Sequence, residues 1–214
     1  EMLQGDWSSD VCSSDLKLMC KFSEDSRQKL GNAVIYIANH TEQLSKTKLL
    51  KLLFLMEEYM VKRYHVPFMG LPFEIWQAGP VAKDIFIDLS DGPFLLKDFV
   101  KTEVQKDATY IRAIKPFCDD EFSDCEMEMM DEIIRKYGKK TAKQLVAEVH
   151  KEGSLWFNAA KKHGLLTAFN KGLCNNSDYT IDFSEELSDC AREDYKESLA
   201  IHQTANILKA QEHV

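Results

Sequence analysis

The chain has 214 residues, with 27 basic and 35 acidic side chains and a formal net charge of −8. This negative balance disfavours a protein whose main task is to bind nucleic acid, because such proteins are usually basic. No apolar stretch approaches the roughly 18–20 residues that cross a bilayer, so the sequence predicts no membrane-spanning helix and no membrane partner.

The first sixteen residues, EMLQGDWSSDVCSSDL, lack the apolar period of a helix or a strand. Back-translation from Gly5 onward, with synonymous codons chosen freely, gives a short-read sequencing adapter. We therefore interpret residues 1–16 as a translated artefact that is disordered and outside the fold. Without its four acidic residues, the rest of the chain has a net charge of −4. Its odd number of cysteines indicates reduced thiols in a cytoplasm: Cys20, Cys118, Cys125, Cys174 and Cys190.

Two amphipathic helices are predicted in the next part of the chain. Apolar residues share one helical face between Ser23 and Asn39. Ser45 then precedes the segment KTKLLKLLFLMEEYMVKRY, in which apolar residues recur at helical spacing over more than one face. We expect this second helix to lie at the centre of the core.

A short β-prone stretch, Phe73 to Trp76, leads into Gly79 and Pro80, which we interpret as the N-cap and first residue of a helix that runs to about Leu89. The segments around 99–104 and 109–115 alternate apolar and polar residues on either side of a turn at 105–107. This alternation predicts a β-hairpin.

Helical spacing dominates the remainder of the chain. Ser123 and Glu126 form a possible capping box for a helix that ends at Gly138. Further helices are predicted after Thr141, over about 156–163, and over about 185–211, with a loop rich in Gly, Asn and Ser before the last one. The fold class is therefore mainly α (α+β), with a compact helical domain over 17–172 and an acidic, helical C-terminal extension over 173–214.

The sequence contains none of the common zinc, P-loop, serine-hydrolase or dinucleotide motifs, so we expect a non-enzymatic protein without catalytic residues, metal or cofactor. Two alternatives stay open. One is a hydrolase that uses His150 with a nearby carboxylate. The other is a nucleic-acid-binding regulator that uses a basic patch, although the acidic balance makes direct nucleic-acid binding unfavourable. The patch consists of Arg135, Lys136, Lys139, Lys140 and Lys143.

A spacing pattern distinguishes the chain from an ordinary helical domain. The stretch KLLKLLF begins at Lys48, the element W-x-x-G-P-V begins at Trp76, and a late His150 is followed by Trp156. This combination resembles the Panacea domain, the SocA-like antitoxin family, over roughly residues 23–165. The family resemblance implies a compact helical domain of bacterial or phage origin.

The resemblance also implies the function and the partners. Panacea domains neutralise diverse toxins by direct contact, and some act as proteolysis adaptors, so the expected partners are a cognate toxin and a protease complex. On physical grounds, Lys48 and Lys51 need solvent or a carboxylate partner on their apolar helix, and Trp76 and Pro80 suit a role in holding the fold. The family-motif residues, which are the expected partner-binding positions, are Lys48, Lys51, Leu52, Phe54, Trp76, Gly79, Pro80, Val81, His150 and Trp156.

Overall fold

The computed structural model describes residues 22–90, 92–106 and 108–211. Residues 1–16, and with them the adapter interpretation, lie outside these ranges. The helices are α1 (Glu24–His40), α2 (Lys46–Tyr64), α3 (Lys83–Asp88), α4 (Asp124–Tyr137), α5 (Ala142–Val149), α6 (Leu155–Lys162), α7 (Leu165–Asn170) and α8 (Asp189–Gln211), and a 3-10 turn spans Phe183–Glu186. The strands are β1 (Glu74–Trp76), β2 (Gly79–Val81), β3 (Val100–Gln105) and β4 (Ala108–Ala113).

Helix α2 forms the centre of the molecule, as its apolar pattern predicts. The Ser45 hydroxyl accepts the amide of Lys48 and so satisfies one of the free donors at the helix start. From Lys48 to Glu57 every residue of the helix is buried, because α4, α5, β2 and β4 all pack around it. The mainly helical fold with small β elements is therefore confirmed.

The β1–β2 hairpin corrects the prediction for Gly79 and Pro80. These residues do not start a helix: they lie in β2, which pairs antiparallel with β1 in the register Trp76↔Gly79 and Glu74↔Val81. Gly79 has a φ of +96°, which is far from the helical region. The helical segment expected here is α3, which begins only at Lys83.

The second hairpin is confirmed at the predicted place. Strands β3 and β4 pair antiparallel from Val100↔Ala113 to Gln105↔Ala108. The outer side of β4 is attached to the body of the protein by the amide of Ile111, which donates to the carbonyl of Leu44 at 2.8 Å. The capping box of α4 at Ser123 is confirmed as well.

Residues 175–181 run beside β1, although the sequence predicted a loop there. The amides of Gln77 and Ile75 donate to the carbonyls of Asn175 and Tyr179, each at 2.9 Å, and the amide of Ile181 donates to Phe73 at 2.8 Å. The last predicted helix starts later than expected, at Asp189. Within residues 22–90, 92–106 and 108–211, no helix is long and apolar enough to cross a membrane.

Candidate functional site

Lys51 connects α2 to the β1–β2 hairpin. Its side chain is 1% exposed, and its Nζ donates to the carbonyl oxygen of Pro80 at 2.7 Å. Burial disfavours the charged ammonium and lowers the pKa of Lys51 to about 7. The expectation of solvent or a carboxylate partner was therefore wrong, because the amine lies in the core against a main-chain carbonyl.

Gly79 allows this close approach. A Cβ atom at this position would lie 2.9 Å from Cε of Lys51 and 3.1 Å from Cγ2 of Val149. The left-handed backbone at Gly79 is also one that side-chain-bearing residues rarely adopt. Glycine is thus required at this point for two independent reasons.

The two motif tryptophans join the hairpin to α6. The indole Nε1 of Trp156 donates to the main-chain oxygen of Trp76 at 3.1 Å, and Trp156 is 3% exposed. Trp76 is only half-buried; its own Nε1 donates to Glu74 at 2.9 Å, and its ring meets that of Phe86 edge-on at 5.0 Å. Trp76 therefore remains partly exposed at the surface.

His150 directly follows α5 and stacks on Trp156, with ring centroids 3.8 Å apart and an angle of 8° between the planes. Burial, and secondarily the positive charge of Lys51, lower the pKa of His150 to about 4, so the imidazole is neutral near pH 7. Its Nε2 is sealed from solvent and has no hydrogen-bond partner in the described part of the chain. An imidazole held in this way is poorly placed to act on a substrate, which weakens the hydrolase alternative.

Lys48 holds a different junction, at the first turn of α2. Its Nζ donates to the main-chain oxygens of Gly138, at 2.6 Å, and Glu42, at 3.3 Å. Burial lowers the pKa of Lys48, and the charge of Glu42 partly opposes this shift. Lys48 therefore fixes the start of α2 to the segment between α4 and α5, where its partners are again carbonyls and not carboxylates.

The remaining motif residues belong to the hydrophobic core. Leu52 is 0%, Phe54 1% and Val81 3% exposed. The ring of Phe54 contacts those of Phe73 and Phe183 at centroid distances of 5.4 Å each. The side chains of these three motif residues therefore pack inside the domain and cannot contact a partner.

The structure brings most of the motif residues into one arrangement, which we call the motif cluster. The amine of Lys51, the Gly79–Pro80 backbone and the stacked rings of His150 and Trp156 meet at the inner face of the β1–β2 hairpin. Lys48 lies apart from them, at the other junction. Within residues 22–90, 92–106 and 108–211, no group of three or more His, Cys, Asp and Glu side chains could hold a metal ion.

Sequence reasoning missed the buried carboxylate of Glu57. It is 1% exposed and accepts the amides of Phe68, Met69 and Gly70 at 2.9–3.2 Å, which fixes the loop after α2. Burial raises the pKa of Glu57 to about 7 in spite of these hydrogen bonds. Its neighbour in the sequence is the half-buried Glu58, and nothing in the dipeptide Glu-Glu indicates which of the two carboxylates is fully buried.

The basic patch of the regulator alternative is partly neutralised within the protein. Lys140 pairs with Glu148 at 2.6 Å, and the ammonium groups of Lys136 and Lys140 lie about 5 Å from the ring of Tyr137. Glu148 also pairs with Lys151 at 2.7 Å. Such internal pairs reduce the charge that a phosphate backbone would meet.

One comparison with known proteins gave a match. Residues 49–157, about half of the chain, match the family model described as antitoxin SocA-like, Panacea domain. The match spans α2 from its first turn, both hairpins and the His150–Trp156 stack. Neither the curated proteins nor the solved structures gave a match.

Proposed function

The chain belongs to the SocA-like antitoxin family with a Panacea domain, and from that premise we propose that it neutralises a cognate toxin protein by direct contact. Family membership supports a general antitoxin role and favours binding over catalysis. The observation that carries the proposal is the match of residues 49–157. The environment of His150 supports it, because Nε2 of this candidate catalytic group is buried without a hydrogen-bond partner in the described part of the chain.

We assign the toxin contact to the surface beside β1, which we call the hairpin surface and define by Trp76, Leu173 and Tyr179. Trp76 is half-buried, whereas Leu173 is 75% and Tyr179 52% exposed. The main-chain bonds from Ile75 to Tyr179 and from Gln77 to Asn175 hold the stretch that contains Tyr179 and directly follows Leu173 against the hairpin. Exposed apolar and aromatic side chains on a fixed backbone are typical of protein-binding surfaces.

The motif cluster supports this surface from below. Lys51 and Trp156 donate to main-chain oxygens on β2 and β1, so both strands are held at their inner side. A rigid hairpin loses little conformational entropy when a partner binds. We therefore place the buried motif residues in a supporting role and Trp76 alone, among them, in the contact.

Neutralisation by contact differs from delivery to a protease in what happens to the toxin. A toxin that is covered by the antitoxin stays in the cell at an unchanged level, whereas one that an adaptor delivers to a protease complex is lost. We propose that the antitoxin neutralises the toxin by binding it and does not deliver it to a protease. An immunoblot of the toxin with and without the antitoxin separates the two, and a toxin level that falls when the antitoxin is present would favour the adaptor.

The test is co-expression with the product of the adjacent gene. We expect that product to stop growth alone and the wild-type protein to restore growth. The double variant Leu173→Lys/Tyr179→Lys should fail to restore it, because buried ammonium groups would oppose the contact. Ile207→Lys, at a 59% exposed position of α8, is the matched control and should restore growth.

Each outcome of this test has a definite reading. If the adjacent product is harmless, or stays toxic beside the wild-type protein, the proposed function loses its support. If the double variant still restores growth and accumulates normally, the function stands and the hairpin surface is the wrong contact.

A further inference from the structure

The hydrogen bonds around the second hairpin determine which backbone groups of β3 face outward. The amide of Ile114 donates to Phe99 at 3.0 Å, and the amide of Ile111 donates away from β3, to Leu44. Antiparallel pairs alternate between bonded and non-bonded residues along the ladder. With the register Thr102↔Ile111 and Val104↔Thr109, the amides and carbonyls of Thr102 and Val104 must therefore point away from β4.

These outward groups form an open edge. Within residues 22–90, 92–106 and 108–211, β3 pairs with β4 alone, and no hydrogen bond is made by the outward amides and carbonyls of Thr102 and Val104. Residues 101–105 are all exposed or half-buried, and the side chain of Val104 is 73% exposed. An open edge of this kind can accept another strand.

The sequence of this edge is complementary to itself. Read from residue 100 it is Val-Lys-Thr-Glu-Val. When two copies are laid antiparallel with Thr102 opposite Thr102, Lys101 of each copy faces Glu103 of the other. Val100 is 1% exposed and lies in the core of its own chain, so it adds no side-chain contact. Opposite charges and paired threonines are favourable cross-strand neighbours in a sheet.

We propose that β3 is a homodimer interface, in which two copies of this chain pair antiparallel about Thr102 and join their hairpins into one four-stranded sheet. The two Thr102 residues exchange their amide and carbonyl bonds at the two-fold axis. The same patch on both copies forms the contact, which is the arrangement of a two-fold symmetric dimer.

Charge favours a second copy over an unrelated strand. Glu103 already contacts Lys101 at 3.2 Å and Arg112 at 2.7 Å on one face of the hairpin. In the proposed dimer, Lys101 of the second copy lies beside Glu103 of the first, and Glu103 of the second beside Lys101 of the first. Positive and negative charges therefore alternate across the contact. A lysine on an exposed edge normally opposes pairing with another strand, and a second copy offsets this because it brings its own Glu103 opposite Lys101.

The proposed contact is small, since it uses one short strand from each copy. Stable dimers generally bury more surface than a single strand pair provides, so the association should be weak and reversible. Sedimentation equilibrium of the full-length chain at increasing concentration is therefore the measurement. The average mass should rise from 24.6 kDa towards twice that value.

Thr102→Pro tests the edge itself. Proline removes the outward amide at the two-fold axis and leaves the β3–β4 bonds in place, because those are made by the neighbouring residues. This variant should stay monomeric, and Thr102→Val, which keeps the amide, should still associate. A wild-type protein that stays monomeric at its solubility limit would overturn the proposal and leave the edge to another chain, and so would a folded Thr102→Pro variant that still dimerises.

Charge reversal tests the register, even if the proline variant does not fold. Lys101→Glu places only glutamates at the two paired positions, and Glu103→Lys places only lysines there. Each variant alone should stay monomeric, whereas an equal mixture should associate, because every opposed pair then has opposite signs. A mixture of the two folded variants that does not associate, or either variant that dimerises alone as the wild type does, would overturn the proposed pairing. None of these results depends on a toxin.

Discussion

The two hairpins of this protein are built alike and used differently. The β1–β2 hairpin is covered on its inner face by the motif cluster, and β1 has bonded neighbours on both sides. The β3–β4 hairpin carries no motif residue, and the outer edge of β3 is open within the described residues. The recognisable sequence motif thus marks where the chain is fixed, and the open contact surfaces lie beside or away from it.

Gly79→Ala should break the fixed hairpin most severely. The new Cβ would lie 2.9 Å from Cε of Lys51 on a backbone with φ of +96°, so strain and crowding add together. We expect the free energy of unfolding in urea to fall by about 3 kcal/mol. Gly92→Ala is the matched control: its φ is +98°, nothing lies within 4 Å, and it should lose only about 1 kcal/mol. Equal losses would mean that the contact with Lys51 costs nothing.

The buried amine of Lys51 should make stability rise with pH. Its pKa is about 7 in the folded protein and near the ordinary lysine value of 10.5 in the unfolded chain, so the unfolded state binds more protons between these values. The free energy of unfolding should therefore increase by roughly 2–3 kcal/mol from pH 7 to pH 9, at about 1.4 kcal/mol for each pH unit.

Lys51→Met should remove this pH dependence, and Lys143→Met, which replaces an exposed lysine, should keep it. Urea unfolding at pH 7, 8 and 9 provides the comparison. An unchanged slope in Lys51→Met would show that the amine is protonated in the folded state.

The buried imidazole of His150 should also make stability rise with pH, but in the acid range. Its folded pKa of about 4 lies below the ordinary value of 6.5, so stability is lost as pH falls through this window. Because the side chain is only half-buried, solvent screening should limit the loss to roughly 1–2 kcal/mol. His150→Phe keeps a ring against Trp156 and should lose less thermal stability than the wild type between pH 6.5 and 4; a variant as acid-sensitive as the wild type would contradict this account.

Val104→Thr should have the smallest effect, because the side chain at the open edge is 73% exposed. We expect a change within about 0.5 kcal/mol in urea unfolding at low protein concentration. A loss comparable to that of Gly79→Ala would show that the second hairpin is as tightly fixed as the first.

Local patterns were sufficient for most of the helices and for the second hairpin, but they missed the short helix α7 at Leu165–Asn170, where a loop was expected. Ser45 and Ser123 cap helices α2 and α4 as predicted, and the chain turns at 105–107 between the two alternating segments. These signals are local, because each acts over only a few residues. The same local reasoning failed at Gly79 and Pro80. The dipeptide is a common helix start, but pairing with β1 and the approach of Lys51 determine its conformation.

The rest of the site could not be predicted because it depends on distant partners. Nothing near Lys51 in the sequence indicates that its amine would meet the carbonyl of Pro80, 29 residues away. The segment 175–181 has no alternating pattern, and it is held beside β1 mainly by main-chain bonds, which leave little trace in the sequence. The family pattern identified the motif residues without indicating that most of them are buried.

The central claim is that the toxin contacts the hairpin surface and that the motif cluster only supports it. The most direct test is the dissociation constant for the purified product of the adjacent gene, measured with the wild type, Leu173→Lys and Lys51→Met. Leu173→Lys should weaken binding at least about tenfold without a change in melting temperature, and Lys51→Met should bind within about twofold of the wild type under conditions where it is folded. Unchanged binding by Leu173→Lys, or loss of binding by folded Lys51→Met, would contradict the claim.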